Sequence, residues 1–147
     1  MIWVTRSRPK TDRIACPWLI RRSIDPDAEI VYMAAAEVVS FAARHGAHSF
    51  DTPGATFDHR GNKCTFEVLI DEYHLADDPA LMRLARIVHA ADIDSEVHTD
   101  PFAPMMLALA SGGLAVEADD HRLLDRASYV YDALYAWCAR EVTSGRP

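Results

Sequence analysis

Six residues in the middle of the chain, His59, Cys64, Glu67, His89, Asp92 and Asp94, are of the types that hold metal ions. His89 and Asp92 stand three positions apart, so on a helix they share a face. Glu67 would project toward them from a preceding helix, and His59 and Cys64 lie on the loop that leads into it. Imidazole, carboxylate and thiolate donors of this kind take zinc, iron or manganese. The expectation is a divalent metal held by Glu67, His89 and Asp92, with His59 or Cys64 completing the set. Spacing alone is not diagnostic, because exposed acids around a satisfied histidine read the same way.

A second group is basic. Arg6, Lys10, Arg13, Arg21 and Arg22 crowd the first 22 residues, where six basic side chains face a single acid, Asp12. Guanidinium forks grip oxyanions through paired hydrogen bonds, and a helix N-terminus adds backbone N–H groups. These five are the expected anion-binding residues, although Arg21 and Arg22 diverge by about 100° on a helix and cannot both face one ligand. The bland alternative is a solvated basic turn with Asp12 as a helix cap. Cys16 precedes Pro17. If it began a helix beside Arg13, its thiol pKa would fall, making it the candidate for catalytic or redox chemistry. An inert, buried cysteine fits the same residue.

The elements that must position these groups can be read from punctuation and periodicity. Strands are expected over 2–5, 29–33 and 47–50, with a short fourth over 56–59. The first helix begins at Thr11 or Asp12 and runs to about Ser23, with Pro17 either kinking it or opening a second helix capped by Cys16. Further helices are expected from Ala34 to His45, stopped by Gly46, and from Thr65 to Tyr73. Asp78 caps another that starts at Pro79 and carries Leu81, Leu84, Ala85, Val88 and Ala91 at helical spacing. One more spans Pro101 to Leu109, ended by Gly112-Gly113. The last opens at Asp119 or Asp120, and a frayed tail covers 143–147. The order predicts an α/β (α+β) fold: a small mixed sheet in the N-terminal half, packed helices, and a mainly helical C-terminal half.

The 147 residues suit a single domain over 1–147, able to bury a core without disulfide or metal. Hydrophobic residues at 50% and charged residues at 25% exclude disordered and fibrous classes. A net charge of −7 argues against general binding to DNA or RNA, while the basic opening could still take a small anion. Three scattered cysteines, Cys16, Cys64 and Cys138, suggest a reducing compartment. With no membrane-length apolar run and no signal-peptide core, a cytoplasmic location is expected.

Four stretches together resemble a known family. The run Trp3-x-Thr5-Arg6-x-Arg8-Pro9-Lys10-x-Asp12-Arg13-Ile14-Ala15-Cys16-Pro17-Trp18-Leu19-Ile20-Arg21-Arg22-x-Ile24-Asp25-Pro26 is similar to the opening of the C-terminal domain of the chromate resistance protein ChrB family, also called chromate resistance exported proteins. His59-x-Gly61-x-x-Cys64-Thr65-Phe66-Glu67 resembles its second motif and Leu84-Ala85-x-Ile87-Val88-His89-x-Ala91-Asp92 its third. Tyr131-Asp132-Ala133-Leu134-Tyr135-Ala136-Trp137-Cys138 resembles its ending. The resemblance implies a chromate-responsive regulator or accessory protein. Full-length members carry a further N-terminal region linked to DNA binding, so no direct nucleic-acid contact is expected of this stretch. Chromate is a tetrahedral dianion and a thiol-reactive oxidant. The basic residues could clamp it, and Cys16 or Cys64 could register or reduce it. The leading expectation is therefore a metal- and oxyanion-binding domain of chromate stress response. The alternatives are a metal-dependent or thiol-based enzyme such as a chromate reductase, and a structural module that dimerises through the Tyr129–Trp137 region.

Overall fold

The structure, a computed structural model, describes residues 1–145. Its first strand, β1 (Ile2–Arg6), is the middle of a three-stranded sheet. β2 (Glu29–Met33) and β3 (His48–Ser49) flank it, and both pair with it in parallel. The α/β class holds, and the sheet is parallel throughout rather than mixed because each strand-to-strand connection passes through a helix. The expected fourth strand shrinks to one bridge between Phe50 and Phe57. Alternation along β1 assigns its faces. Trp3 enters the main core, while Val4 packs with Val38 and Ala42 of α2 (Ala35–His45) on the other side. Gly46 ends α2 in the left-handed conformation, at φ 60°.

Helix α1 (Asp12–Leu19) passes through Pro17 without interruption and relaxes into a π-helical turn over Ile20–Ile24. Proline removes the N–H that would bond the Arg13 carbonyl. The Tyr32 hydroxyl donates to that carbonyl instead, at 3.2 Å, which ties β2 to the helix. Cys16 therefore sits inside a helix rather than capping one.

The second half is helical: α3 (Thr65–Glu72), α4 (Pro79–Asp92), a 3₁₀ segment (Asp94–Thr99), α5 (Ala103–Val116) and α6 (Asp120–Thr143). Asp78 caps α4 by accepting from the Leu81 N–H at 3.0 Å, and Asp119 caps α6 through the Arg122 N–H at 3.0 Å. α4 forms the central post, packed against α6 and α5 with Leu84, Ile87 and Val88 fully buried. Gly112-Gly113 does not end α5. A Cβ on Gly113 would lie 3.0 Å from Leu123 of α6, so this glycine serves a close helix–helix approach. Of the expected frayed tail, Thr143 belongs to α6 and residues 146–147 lie outside the described residues. Among the described residues, no helix is long and apolar enough to cross a membrane.

Arg8 fastens the two halves together. Its guanidinium donates to the carbonyls of Leu114 (2.6 Å), Glu117 (3.0 Å) and Ala118 (2.8 Å) and to Asp120 (3.0 Å). Its own N–H bonds the second Asp120 oxygen at 3.0 Å. One side chain thus satisfies carbonyls exposed by the end of α5 and holds the start of α6.

Candidate functional site

The loop after β1 and the loop after β3 meet at the end of α4, and the groups with chemistry gather there. Asp12, at the first turn of α1, is fully buried. It does not cap its own helix. Its carboxylate reaches α3 and accepts from the N–H groups of Thr65 (2.7 Å) and Phe66 (3.3 Å). Asp51 accepts from the Thr65 hydroxyl at 2.8 Å and lies 3.5 Å from the Arg13 guanidinium. The His59 Nε2 atom stands amid the acids, 3.1 Å from Asp92, 3.4 Å from Asp51 and 3.5 Å from Asp12.

The electrostatics follow from this crowding. Hydrogen bonds to Asp12 and Asp51 raise the pKa of His59 to about 10, so the ring is an imidazolium at neutral pH. Burial, with the charges of Asp12 and Asp51, raises Asp92 to about 7. Burial also raises Asp12. For Asp51 burial pushes upward too, but hydrogen bonds from His59 and Thr65 outweigh it and leave this carboxyl below its ordinary value. The group is a negative pocket that already holds one positive charge.

Arg6, Lys10, Arg13 and Asp94 line the same cleft, whose volume is about 220 Å³. Arg6 donates to the Asp51 carbonyl at 3.2 Å, and Arg13 to the Ser7 carbonyl at 3.1 Å. The Arg13 Nε–H is buried without a hydrogen-bond partner. Burial and the nearby Arg6 charge depress the Arg13 pKa, so the two guanidiniums repel each other. Thr11 and Asp51 on the cleft wall, and Arg8 beside it, hold left-handed backbone at φ 38°, 49° and 56°. Strain of this kind persists where the surroundings impose it and tends to collect at functional sites.

The expected residues divide. Arg6, Lys10, Arg13, His59 and Asp92 come together in this cleft. Arg21 instead donates to the Ala28 carbonyl, and Arg22 lies over the rings of Tyr135 and Trp18. These two therefore leave the anion set, because the helix turns them away from Arg13. Cys16 is fully buried, and burial holds its thiol well above the ordinary range. Glu67 and His89 do not share a centre with Asp92. They pair with each other, beside Cys64, in a separate cluster. Three participants escaped the sequence reading: Asp12, read there as a cap for its own helix; Asp51, which no periodicity singles out; and Glu96, which bonds His89 at 2.6 Å. For Asp12 the signal lay in its place within the basic motif.

Fold and site define a small α/β domain with a carboxylate–histidine cleft rimmed by arginine and lysine. The chain belongs to the ChrB C-terminal domain family: the family model described as "ChrB, C-terminal domain" matches residues 3–138. Among curated proteins, Protein ChrB of Cupriavidus metallidurans is 36% identical over 133 residues, which is 90% of this chain and 39% of that protein. The chain thus spans about two fifths of that curated relative's length. No solved structure matches it.

Proposed function

We propose that the Asp12–Asp51–His59–Asp92 cleft binds a divalent cation together with a small tetrahedral oxyanion, and that this serves chromate sensing or resistance. The observation that carries the reading is the position of His59 Nε2, within 3.5 Å of three carboxylates, in a cleft lined by Arg6, Lys10 and Arg13. A dication answers the negative charge better than one proton does. Oxygen-rich ligation of this sort suits manganese or iron as well as zinc. The Arg13 Nε–H, which makes no hydrogen bond and faces Asp51 only at 3.5 Å, and the nearby Arg6 guanidinium supply the complement for an anion. Membership of the ChrB family points to chromate as the oxyanion.

Calorimetric titration of chelator-treated protein with manganese(II), followed by molybdate as a non-oxidising tetrahedral dianion and then chromate, tests the reading. Metal binding is expected to tighten anion binding. Arg13→Ala should weaken the anion at least tenfold, as expected for loss of a charge-assisted contact, and His59→Ala should weaken the metal. Absence of binding by either probe to wild type would remove the proposal.

One observation favours a second reading, a metal-dependent enzyme. Asp92 and His59 stand 3.1 Å apart in the same cleft, an acid–base pair beside the candidate cation site. The thiol-based variant of that reading finds less support, since Cys16 and Cys64 are both fully buried.

A further inference from the structure

His89 lies one helical turn before Asp92 on α4, and its ring is gripped on both edges. Nε2 faces Glu96 at 2.6 Å, and Nδ1 meets Glu67. Glu67 is the third residue of α3, and its Oε1 also accepts the Cys64 N–H at 3.1 Å. The Cys64 side chain in turn faces the Glu67 backbone N–H, so the two residues close a capping box at the start of α3. One donor atom each from Cys64, Glu67 and His89 lies within 4.8 Å of the others.

We propose that Cys64, Glu67 and His89 form a second, thiolate-bearing metal site of the zinc type, with Glu96 as its orienting carboxylate. The donor set is soft sulfur, borderline nitrogen and one carboxylate oxygen. That is a tetrahedral zinc set with a position left open, unlike the oxygen-rich group around His59. Donors about 2.0–2.3 Å from zinc sit roughly 3.3–3.8 Å apart, so the direct Glu67–His89 contact would have to open to admit an ion while Cys64 stays within reach of both.

Two further observations point the same way. Glu96 holds the Nε2 edge of His89 at 2.6 Å, as an outer carboxylate does in a histidine–zinc site, and a metal at Nδ1 would displace the proton that Nδ1 now shares with Glu67. The open side faces a cleft of about 430 Å³ lined by Glu67, His89, Arg83, Arg86, Thr99 and Asp100. Arg83 there is 6% exposed and pairs with Asp100 at 2.8 Å, while its Nε–H has no partner. That cleft offers both room for a fourth ligand and positive charge to favour an anionic one. Cys64 is fully buried and its thiol is held protonated by burial, so metal binding must release a proton from it.

The inference stands apart from the His59 cleft, which has no sulfur ligand, and a thiolate signature separates the two. Chelator-treated full chain, kept reduced, is titrated with cobalt(II) and followed by absorption. The expected result is an intense tetrahedral d–d spectrum with a thiolate-to-cobalt charge-transfer band, both displaced by one equivalent of zinc. Cys64→Ser, close in size to the wild type, should erase the charge-transfer band while circular dichroism stays native. Glu96→Gln should keep the band and weaken affinity about 10–100-fold, as for other orienting partners. Glu67→Gln retains an acceptor for the Cys64 N–H, so its loss of affinity would report ligation rather than a broken helix start. A cobalt adduct with only weak octahedral absorption, no adduct at all, or a thiolate band that survives Cys64→Ser overturns the proposal. His89 would then be a salt-bridged latch between α3, α4 and the 3₁₀ segment.

Discussion

His59 gives up its proton only at strongly alkaline pH, and this sets how the metal-free protein answers to pH. Its pKa is raised in the folded state, to about 10. The stability it contributes is complete below its unfolded value, about 6.5, and drains away as pH rises through 10. Asp92 acts with the same sign lower down, between an unfolded value of about 3.9 and its folded value near 7. In chelator-treated protein the urea midpoint should therefore fall as pH climbs from 6.5 to 10. His59→Gln should flatten that limb, and a wild-type midpoint that stays level would contradict the assigned contacts. At this scale the sequence was half legible. His59, Asp92, Arg6, Lys10 and Arg13 could be named because their types are those of ligands. Asp51 could not, because its role depends on a loop conformation with φ 49° that no pattern announces. Glu67 and His89 were recognised as chemistry, but their partner Asp92 was misassigned: spacing of three on a helix shows a shared face, not a shared centre.

At the scale of elements, two contacts replace what local sequence withholds. Pro17 leaves the Arg13 carbonyl without its helical donor, and Tyr32 supplies one from β2. Tyr32→Phe should cost about 1 kcal/mol, the ordinary net worth of such a bond, read as a shift in the urea midpoint with unchanged slope. Arg8 holds three carbonyls and Asp120 in one planar fork. Arg8→Lys keeps the charge but cannot reproduce the fork, and should cost about 2 kcal/mol by the same measurement. Helices with caps and strong periodicity, α2, α4 and α6, were legible to within a residue or two. The end of α5 was not. Gly112-Gly113 has the composition of a stop, and only the nearness of Leu123 shows that the second glycine answers to packing.

For the whole molecule, the family motifs carried more of the answer than composition did, because they gather residues from both halves of the chain. Their spatial meaning is that the strand-and-loop half contributes Asp12 and His59, while the helical half contributes Asp92; Asp51, which joins them, lies between the first two motifs. All three cysteines are free and buried. Native protein should therefore react slowly with a bulky thiol reagent, and denatured protein should yield all three thiols at once. A fast-reacting thiol in the native state would reopen the sulfur-based enzymatic reading. The buried Asp12 carboxylate carries a last consequence. Anything that takes the place of the His59 ring and draws on the electrons of this carboxylate competes with the two amides that Asp12 steadies at the start of α3. Ligand capture should thus be audible from inside: deuterium uptake at the amides of residues 65 and 66 becomes a gauge of occupancy, readable without a label on the ligand.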